Sequence, residues 1–384
     1  MSTYVDIHII QNLPPSCVNR DDTGSPKSAV YGGVRRLRIS SQSWKHATRL
    51  YFQDHLDSSE LGTRTKRVVG LLASEITTQA ADLADDAENL AEEIFKAAGI
   101  KTSSPRTTKG AAPKPAESGY LIFLSYRQIV QLAELAVKCS HSGAPLDKKA
   151  VKTIFKSDNS IDVALFGRMV ADDADLNVDA ACQVAHALST HAAENEYDFF
   201  TAVDDAKARS DAEEDVGAGM MGTVEFSSAT VYRYATVNLD MLHENLGDKE
   251  ATLRALTAFV DGFATSMPTG KQNTFANRTL PDAIVVMVRD DQPISFVGAF
   301  EEAVKQDSSR GYVARSIDAL ATYADKVVAQ YGLEPQESFV VALDDSDAVN
   351  RLGRRVTYKE LSTAVRASVQ GSNSETDASS PEQG

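Results

Sequence analysis

The sequence predicts an α+β fold, a mixed sheet carrying a large helical insertion, and three observations lead there. Strand-like and helix-like runs follow one another irregularly, without the strand–helix alternation of a doubly wound sheet. An Ala-rich, helix-patterned stretch from about 60 to 195 separates β-rich sequence at the N-terminus from more β-rich sequence after 222. At 384 residues and 41.4 kDa the chain exceeds the usual single-domain size, so two or three lobes, or one domain with a substantial insertion, are expected.

The elements follow in order. MSTYVDIHIIQNLPP sets Val5, Ile7 and Ile9 against Tyr4, Asp6 and His8, a strand pattern with no basic leader. The turn-rich PPSCVNRDDTGSPKSAVYGG reads as a loop. VRRLRIS then alternates Arg36 and Arg38 with Leu37 and Ile39, as a strand with one wet, cationic face. Ser41 is placed to cap a helix, SQSWKHATRLYFQDHL, whose less polar stripe is Trp44, Ala47, Thr48 and Tyr51. Gln42, Lys45 and Arg49, spaced i, i+3, i+7, fall on another face.

The insertion reads as helices, DLNVDAACQVAHALSTHAAE included, interrupted by the mobile, basic loop 101–118 and by YLIFLS, a short strand leading into a helix from Ser125. Segment 201–222, acidic and then Gly-rich, predicts a protruding arm. TVEFSSATVYRYATVNLDML should return to the sheet. A helix near 249–265, a strand at DAIVVMVRD, helices near 295–305 and 313–331 and a strand at SFVVAL follow. The tail from about 368 should be disordered.

Composition narrows the function classes. Hydrophobic content of 42%, mean hydropathy of −0.26 and the lack of a bilayer-length apolar run predict a cytosolic protein. Cys17, Cys139 and Cys182 are odd in number and far apart, which suits buried thiols better than disulfides or zinc. A net charge of −15 counts against nucleic-acid binding in bulk. The acidic residues, however, concentrate in 75–97, 171–179 and 204–215, while Arg20 to Arg49 is basic, with Lys27, Arg35, Arg36, Arg38 and Lys45 opposed mainly by Asp21 and Asp22.

Most motif matches fail on context. GAGMMG at 217–222 fits GxGxxG but lacks the strand before and the helix after, so no cofactor is expected. PTGKQNTF at 268–275 has Gln272 where a phosphate loop needs Ser or Thr and Thr265 where it needs its first glycine. Lys271 there is either a backbone contact for RNA or a solvated lysine. The seven histidines show no metal-ligand spacing, and no nucleophile motif is present. Asp21 and Asp22 form the one compact carboxylate pair beside basic residues, and a hydrogen-bonded turn explains such a pair more simply than catalysis. Arg20, Lys27, Gly32, Gly33 and RRLRISSQSWKHATR together suit an anion: glycines for close approach, a cationic strand, and helix N–H groups after Ser41. Lys148, Lys149, Lys152 and Lys156 line one side of a second helix, which a solvated face explains equally well.

The words PSCVNRDD, GGVRRLRISSQSWKHA, FGRMVADDADLNVDAACQVAHALSTH, DFFTAVDD, GTVEFSSATVYRYATVNL and GKQNTFA, spread in order over nearly the whole chain, closely resemble the CasC family, the backbone subunit of type I-E Cascade. The resemblance implies a hand: an RRM-like (ferredoxin-like) palm from 1–59 and 224–367, helical fingers at 60–190, a β-hairpin thumb at 193–223 and the tail at 368–384. It also implies a non-catalytic subunit that polymerises head to tail along a CRISPR RNA and leaves its bases free to pair with target DNA. Arg20, Lys27, Ser40, Gln42, Lys45 and Arg49 would then hold the guide backbone. Met169, Phe200 and Thr201 would be the thumb-side wedge that displaces a nucleotide, with Met220 and Met221 at the thumb tip. The lysines from 148 to 156 would attract target DNA. Partners would be the CRISPR RNA, target DNA, further copies of the chain, and the endoribonuclease, tail, large and small subunits of the complex. Two rivals stand beside this reading: a ribonuclease using Asp21 or Asp22, and a scaffold whose basic patch meets an acidic protein.

Overall fold

The structure, a computed structural model, describes residues 2–105, 114–202 and 220–377. In chain order, strands β1 (Tyr4–Ser16), β2 (Ser28–Tyr31) and β3 (Val34–Ile39) lead to helix α1 (Ser41–His55). The inserted lobe follows: β4 (Gly62–Thr65), α2 (Val68–Gln79), α3 (Ala87–Ala97), β5 (Thr102–Ser103), β6 (Glu117–Ser118), β7 (Ile122–Ser125), α4 (Tyr126–Ser142), α5 (Lys148–Lys156) and α6 (Ile161–Phe166). The chain then returns through β8 (Cys182–Val184), β9 (Ala187–Ser189), β10 (Glu196–Ala202) and the long β11 (Met220–Asn238). After it come α7 (Leu239–Leu246), α8 (Lys249–Thr265), the one-turn α9 (Gln272–Phe275), β12 (Ala283–Arg289), α10 (Tyr312–Tyr331), β13 (Glu337–Ala342), α11 (Asp347–Leu352), β14 (Arg354–Arg355) and α12 (Tyr358–Asp377).

One mixed sheet, in the order β14-β13-β12-β1-β11-β9-β3-β2, organises the molecule. Central β1 is antiparallel to both neighbours, with Ile7 opposite Ala235 on β11 and Val286 on β12. Val5, Ile7 and Ile9 face the core built with α1, α8 and α12. Of the alternate positions, Asp6 and His8 are buried as well. Asp6 takes Arg289 Nε at 3.1 Å, Ile294 N at 2.9 Å and the Tyr234 hydroxyl at 2.9 Å. His8 lies flat on Phe296, with ring centres 4.4 Å apart, and burial pushes its pKa down to about 3. The cause is α10 with the 294–300 segment, which covers this second face and forms a core of its own.

The inserted lobe has a separate core, from Val68 to Leu176, in which Leu72, Ile94, Phe95, Leu132 and Phe155 are fully or almost fully buried. Helix α4 begins where the sequence placed it, with Ser125 and Gln128 forming a reciprocal cap. Helix α8 spans the expected 249–265, and β12 and β13 match their expected runs, while β11 ends at Asn238 and the last four residues of its expected run, Leu239 to Leu242, open α7.

Several expectations need correction. DLNVDAACQVAHALSTHAAE is not helical: β8 pairs with β11, and β9 pairs with both β11 and β3, so this stretch belongs to the main sheet. Alanine there serves close strand packing, with Ala181 and Ala187 buried. Of the helix expected near 295–305 the structure forms a single 3-10 turn, Val297–Phe300. Helix α12 continues past 368, where order was expected to end, because Leu361, Val365 and Val369 repeat at helical spacing against the core. Cys139 is half-exposed, unlike the buried Cys17 and Cys182. The arm expected at 201–222 lies largely outside the described residues, as does the middle of the basic loop 101–118. Among the described residues no helix is long and apolar enough to cross a membrane.

Candidate nucleic-acid interface

Helix α1 is the element around which the predicted cations gather. Its inner face buries Trp44, Ala47, Thr48 and Phe52, each large apolar side chain contributing about 2 kcal/mol. The Arg233 guanidinium lies 3.7 Å from the Trp44 ring centre and clamps the helix to the sheet. That anchoring leaves Gln42, Lys45 and Arg49 on the outer face, in a groove of about 650 Å³ shared with Arg64, Phe123, Phe166, Met169 and Asn177. Lys45 Nζ stands 5.7 Å from the Phe166 ring centre, and the Arg49 guanidinium 4.5 Å from that of Phe123. Aromatic faces thus hold two cations in place, and Arg49 also faces the Asp162 carboxylate at 3.7 Å. Burial lowers the Arg49 pKa, Asp162 raises it again and Arg64 opposes it, yet a guanidinium stays charged at neutral pH.

On the other flank of α1 lies a second groove of about 200 Å³, lined by Arg20, Ser43, Leu50, Met267 and Gly270, and His46 borders both. Burial raises the Cys17 thiol, while the charges of Lys271 and Arg20 lower it in part. Gly270 is needed there because a Cβ would come within 2.4 Å of the Val18 carbonyl oxygen. Lys271 adopts the left-handed conformation, φ 46°, a local strain that over-determined sites tolerate.

The N-terminal end of α1 departs from expectation. The cap is Ser40, not Ser41, and the Ser40 side chain is buried, accepting from Ser43 N. Ser41 N donates to His186 Nδ1 at 2.9 Å, so the first free N–H groups are partly spent. Burial, then Arg38, then Lys27 lower the His186 pKa, and Lys27 and Arg38 are therefore its neighbours. Arg36 is not on a wet face at all. It is fully buried and donates to the carbonyls of Tyr31, Ser189, Phe300 and Glu301 at 2.8–3.2 Å. Gly32 and Gly33, with φ 57° and 78°, make the tight β2–β3 turn, and Gly32 packs on the Glu301 carbonyl, not on an open phosphate site.

Met169 is presented by a three-residue device. Gly167, φ 78°, turns the chain where a Cβ would meet Val178 O at 2.9 Å. Buried Arg168 then donates to Leu176 O, Gln128 Oε1 and Phe155 O, and Met169 is left 75% exposed on the groove. Phe200 and Thr201 sit on a separate element, the β10–β11 hairpin, opposite Gly222 and Met221. Successive strand residues face opposite sides, so Phe200 folds over Gly222 while Thr201 shares a face with exposed Tyr197, Phe199 and Met221. Met220 stands opposite Ala202.

Lys148, Lys149 and Lys156 are exposed on α5, but Lys152 is committed to Asp173 at 2.5 Å. Asp21 Oδ1 accepts from Thr23 N, Thr23 Oγ1 and Ser25 N, a turn that also lowers its pKa, and no metal-holding cluster occurs among the described residues. The sequence reading missed Arg64 and His46, although the run TRTKR at 63–67 carried a local basic signal for the former.

The profile of the Cas_CT1975 family, described as CT1975-like protein, matches residues 5–365. None of the curated proteins matches the chain. Among solved structures, a chain of a "CRISPR RNA-guided surveillance complex, pre-nicking" is 37% identical with a TM-score of 0.84, covering 95% of this chain and 99% of its own. A chain of a second "CRISPR RNA-guided surveillance complex" is 31% identical with a TM-score of 0.73 over the same shares. The fold is thus shared over nearly the whole chain with members of these complexes, and the chain belongs to the CT1975-like protein family, Cas_CT1975.

Proposed function

We propose that the chain is the backbone subunit of a CRISPR RNA-guided surveillance complex of type I-E, binding the sugar-phosphate backbone of the guide without sequence preference. The observation that carries this is the pair of grooves flanking α1 and joined at His46, with Gln42, Lys45, Arg49 and Arg64 on one side and Arg20 on the other, where Gly270, next to Lys271 in the chain, also lines the groove. Cations that line an open groove suit phosphates, and sequence reading is left to base pairing. The sheet with α1 and α8 serves as an RRM-like palm, the inserted lobe as fingers and the β10–β11 hairpin as thumb. Copies add head to tail in the cytoplasm, beside the endoribonuclease, tail, large and small subunits. Met169, Phe200, Thr201, Met220 and Met221 interrupt the guide–target duplex, and Lys148, Lys149 and Lys156 draw in target DNA.

The subunit is read as non-catalytic, since Asp21 is engaged in its own turn. The test is co-expression with a CRISPR RNA. Wild type should purify as an oligomer with a uniform small RNA, and a Lys45→Glu, Arg49→Glu double variant should lose it. If both come free of RNA, the scaffold reading replaces this one. Regularly spaced cuts in a complementary RNA that vanish in Asp22→Ala would make the chain an enzyme.

A further inference from the structure

Asp162 lies where the inserted lobe joins the main sheet, and its two oxygens do different things. Oδ1 accepts from Gly62 N at 2.9 Å, Ser160 Oγ at 2.7 Å and Val163 N at 3.1 Å. Gly62 opens β4, where the chain enters the lobe, while Ser160 caps α6 and Val163 lies in its first turn, where the chain leaves. The crossing is tight: a Cβ on Gly62 would come within 2.7 Å of Ser160 Oγ. Oδ2 faces Arg49 Nε at 3.7 Å. That separation is an ion pair but too long for a hydrogen bond, and Arg49 Nε is buried without a hydrogen-bond partner.

The Asp162 side chain is 5% exposed and that of Arg49 18%. Removing the cation from so buried a carboxylate is strongly unfavourable. A phosphate in the groove therefore cannot draw Arg49 away from Asp162. It has to be met by the terminal amino groups while the Nε edge stays on the carboxylate, an arrangement a planar guanidinium stacked on Phe123 permits and an ammonium does not. We propose that Asp162 is a positioning residue for RNA binding: it fixes the Arg49 guanidinium so that its terminal N–H groups meet a phosphodiester, coupling RNA in the groove to the joint between sheet and lobe. This rests on the guide-binding reading.

Affinity of the full-length chain for a short single-stranded RNA, measured over a salt series, tests it. Asp162→Asn keeps the shape and should weaken binding roughly tenfold, the worth of one well-placed charged hydrogen bond. The weakening should disappear in the Arg49→Ala background, which a merely structural role would not predict. Arg49→Lys, which keeps the charge, should bind as poorly as Arg49→Ala. Unchanged or tighter binding by Asp162→Asn would mean that the carboxylate only repels phosphate, and the proposal falls. A loss that persists without Arg49 overturns it too. If Asp162→Asn does not fold, wild-type affinity in Arg49→Lys overturns it and reduced affinity upholds it. Should Arg49→Ala bind as well as wild type, it is the role of Arg49 in guide binding that fails, and this proposal with it.

Discussion

Strand β3 and helix α1 are neighbours in sequence, and both read as cationic faces. Only one is. On β3, Arg36 turns inward and donates to four backbone carbonyls, whereas on α1 Lys45 and Arg49 remain at a groove with aromatic rings behind them. Alternation along a strand states which residues share a face, but not whether that face meets water. A helix whose opposite stripe holds Trp44 and Phe52 leaves less freedom, because its apolar side has already fixed the direction of its polar one.

The sharpest way to break this comparison is to remove each cation and ask whether stability or binding suffers. Arg36→Ala leaves four buried or half-buried carbonyls short of a donor and should cost about 3 kcal/mol or more in chemical denaturation. A stability loss below about 1 kcal/mol would return Arg36 to the surface. In the groove the signs reverse. A Lys45→Glu, Arg64→Glu double variant should keep a near-native denaturation midpoint yet lose about 100-fold in affinity for single-stranded RNA. Its salt slope should fall by about 0.7 for each phosphate no longer neutralised. Equal affinity would exclude the groove as the RNA track.

How far the sequence could be read follows the same logic. Helices α4 and α8 were legible because capping residues and apolar spacing agreed: Ser125 with Gln128 in one, Asp248 before a long buried stripe in the other. Residues 175–194 were not. Alanine favours helices locally, yet Cys182 to Ser189 pair with partners some 40 to 150 residues away, and that long-range pairing overrides propensity. In the candidate site, Gln42, Lys45 and Arg49 were legible from helical spacing. Arg64 was hidden because it joins them only through the fold, from a strand on the inserted lobe. Ser40 and Lys152, read as ligands by resemblance, have their polar groups engaged within the protein itself.

Acid separates the buried polar layer beneath the sheet from the solvent-facing groove. His8 is neutral in the fold, with a pKa near 3 against 6.5 in the unfolded chain, so the unfolded state takes up a proton first as pH falls. The stability tied to a neutral His8 is intact above pH 6.5 and drains away toward pH 3. Between pH 7 and 5 this amounts to about 2 kcal/mol. His191, also lowered by burial, acts in the same sense, and Asp6, raised by burial, in the opposite one. The difference between wild type and His8→Gln therefore isolates the histidine: the variant's denaturation midpoint should change less over this range. An identical acid limb in both proteins would show that His8 is already hydrated in the fold.

Helix α5 carries the comparison down to a single turn. Lys152 is half-covered and held by Asp173, while Lys148, Lys149 and Lys156 are exposed, with no ion pair to an acidic residue among the described residues. An ammonium in an ion pair can release little counterion to DNA, because its charge is largely compensated before the encounter. Association of assembled complex with target duplex at low salt should slow several-fold in a Lys148→Ala, Lys149→Ala, Lys156→Ala variant. Lys152→Ala alone should change it by less than about twofold. If Lys152→Ala slows association as much as the other three together, the ion pair opens for DNA, and even a 2.5 Å contact on this surface is a reserve of charge and not a use of it.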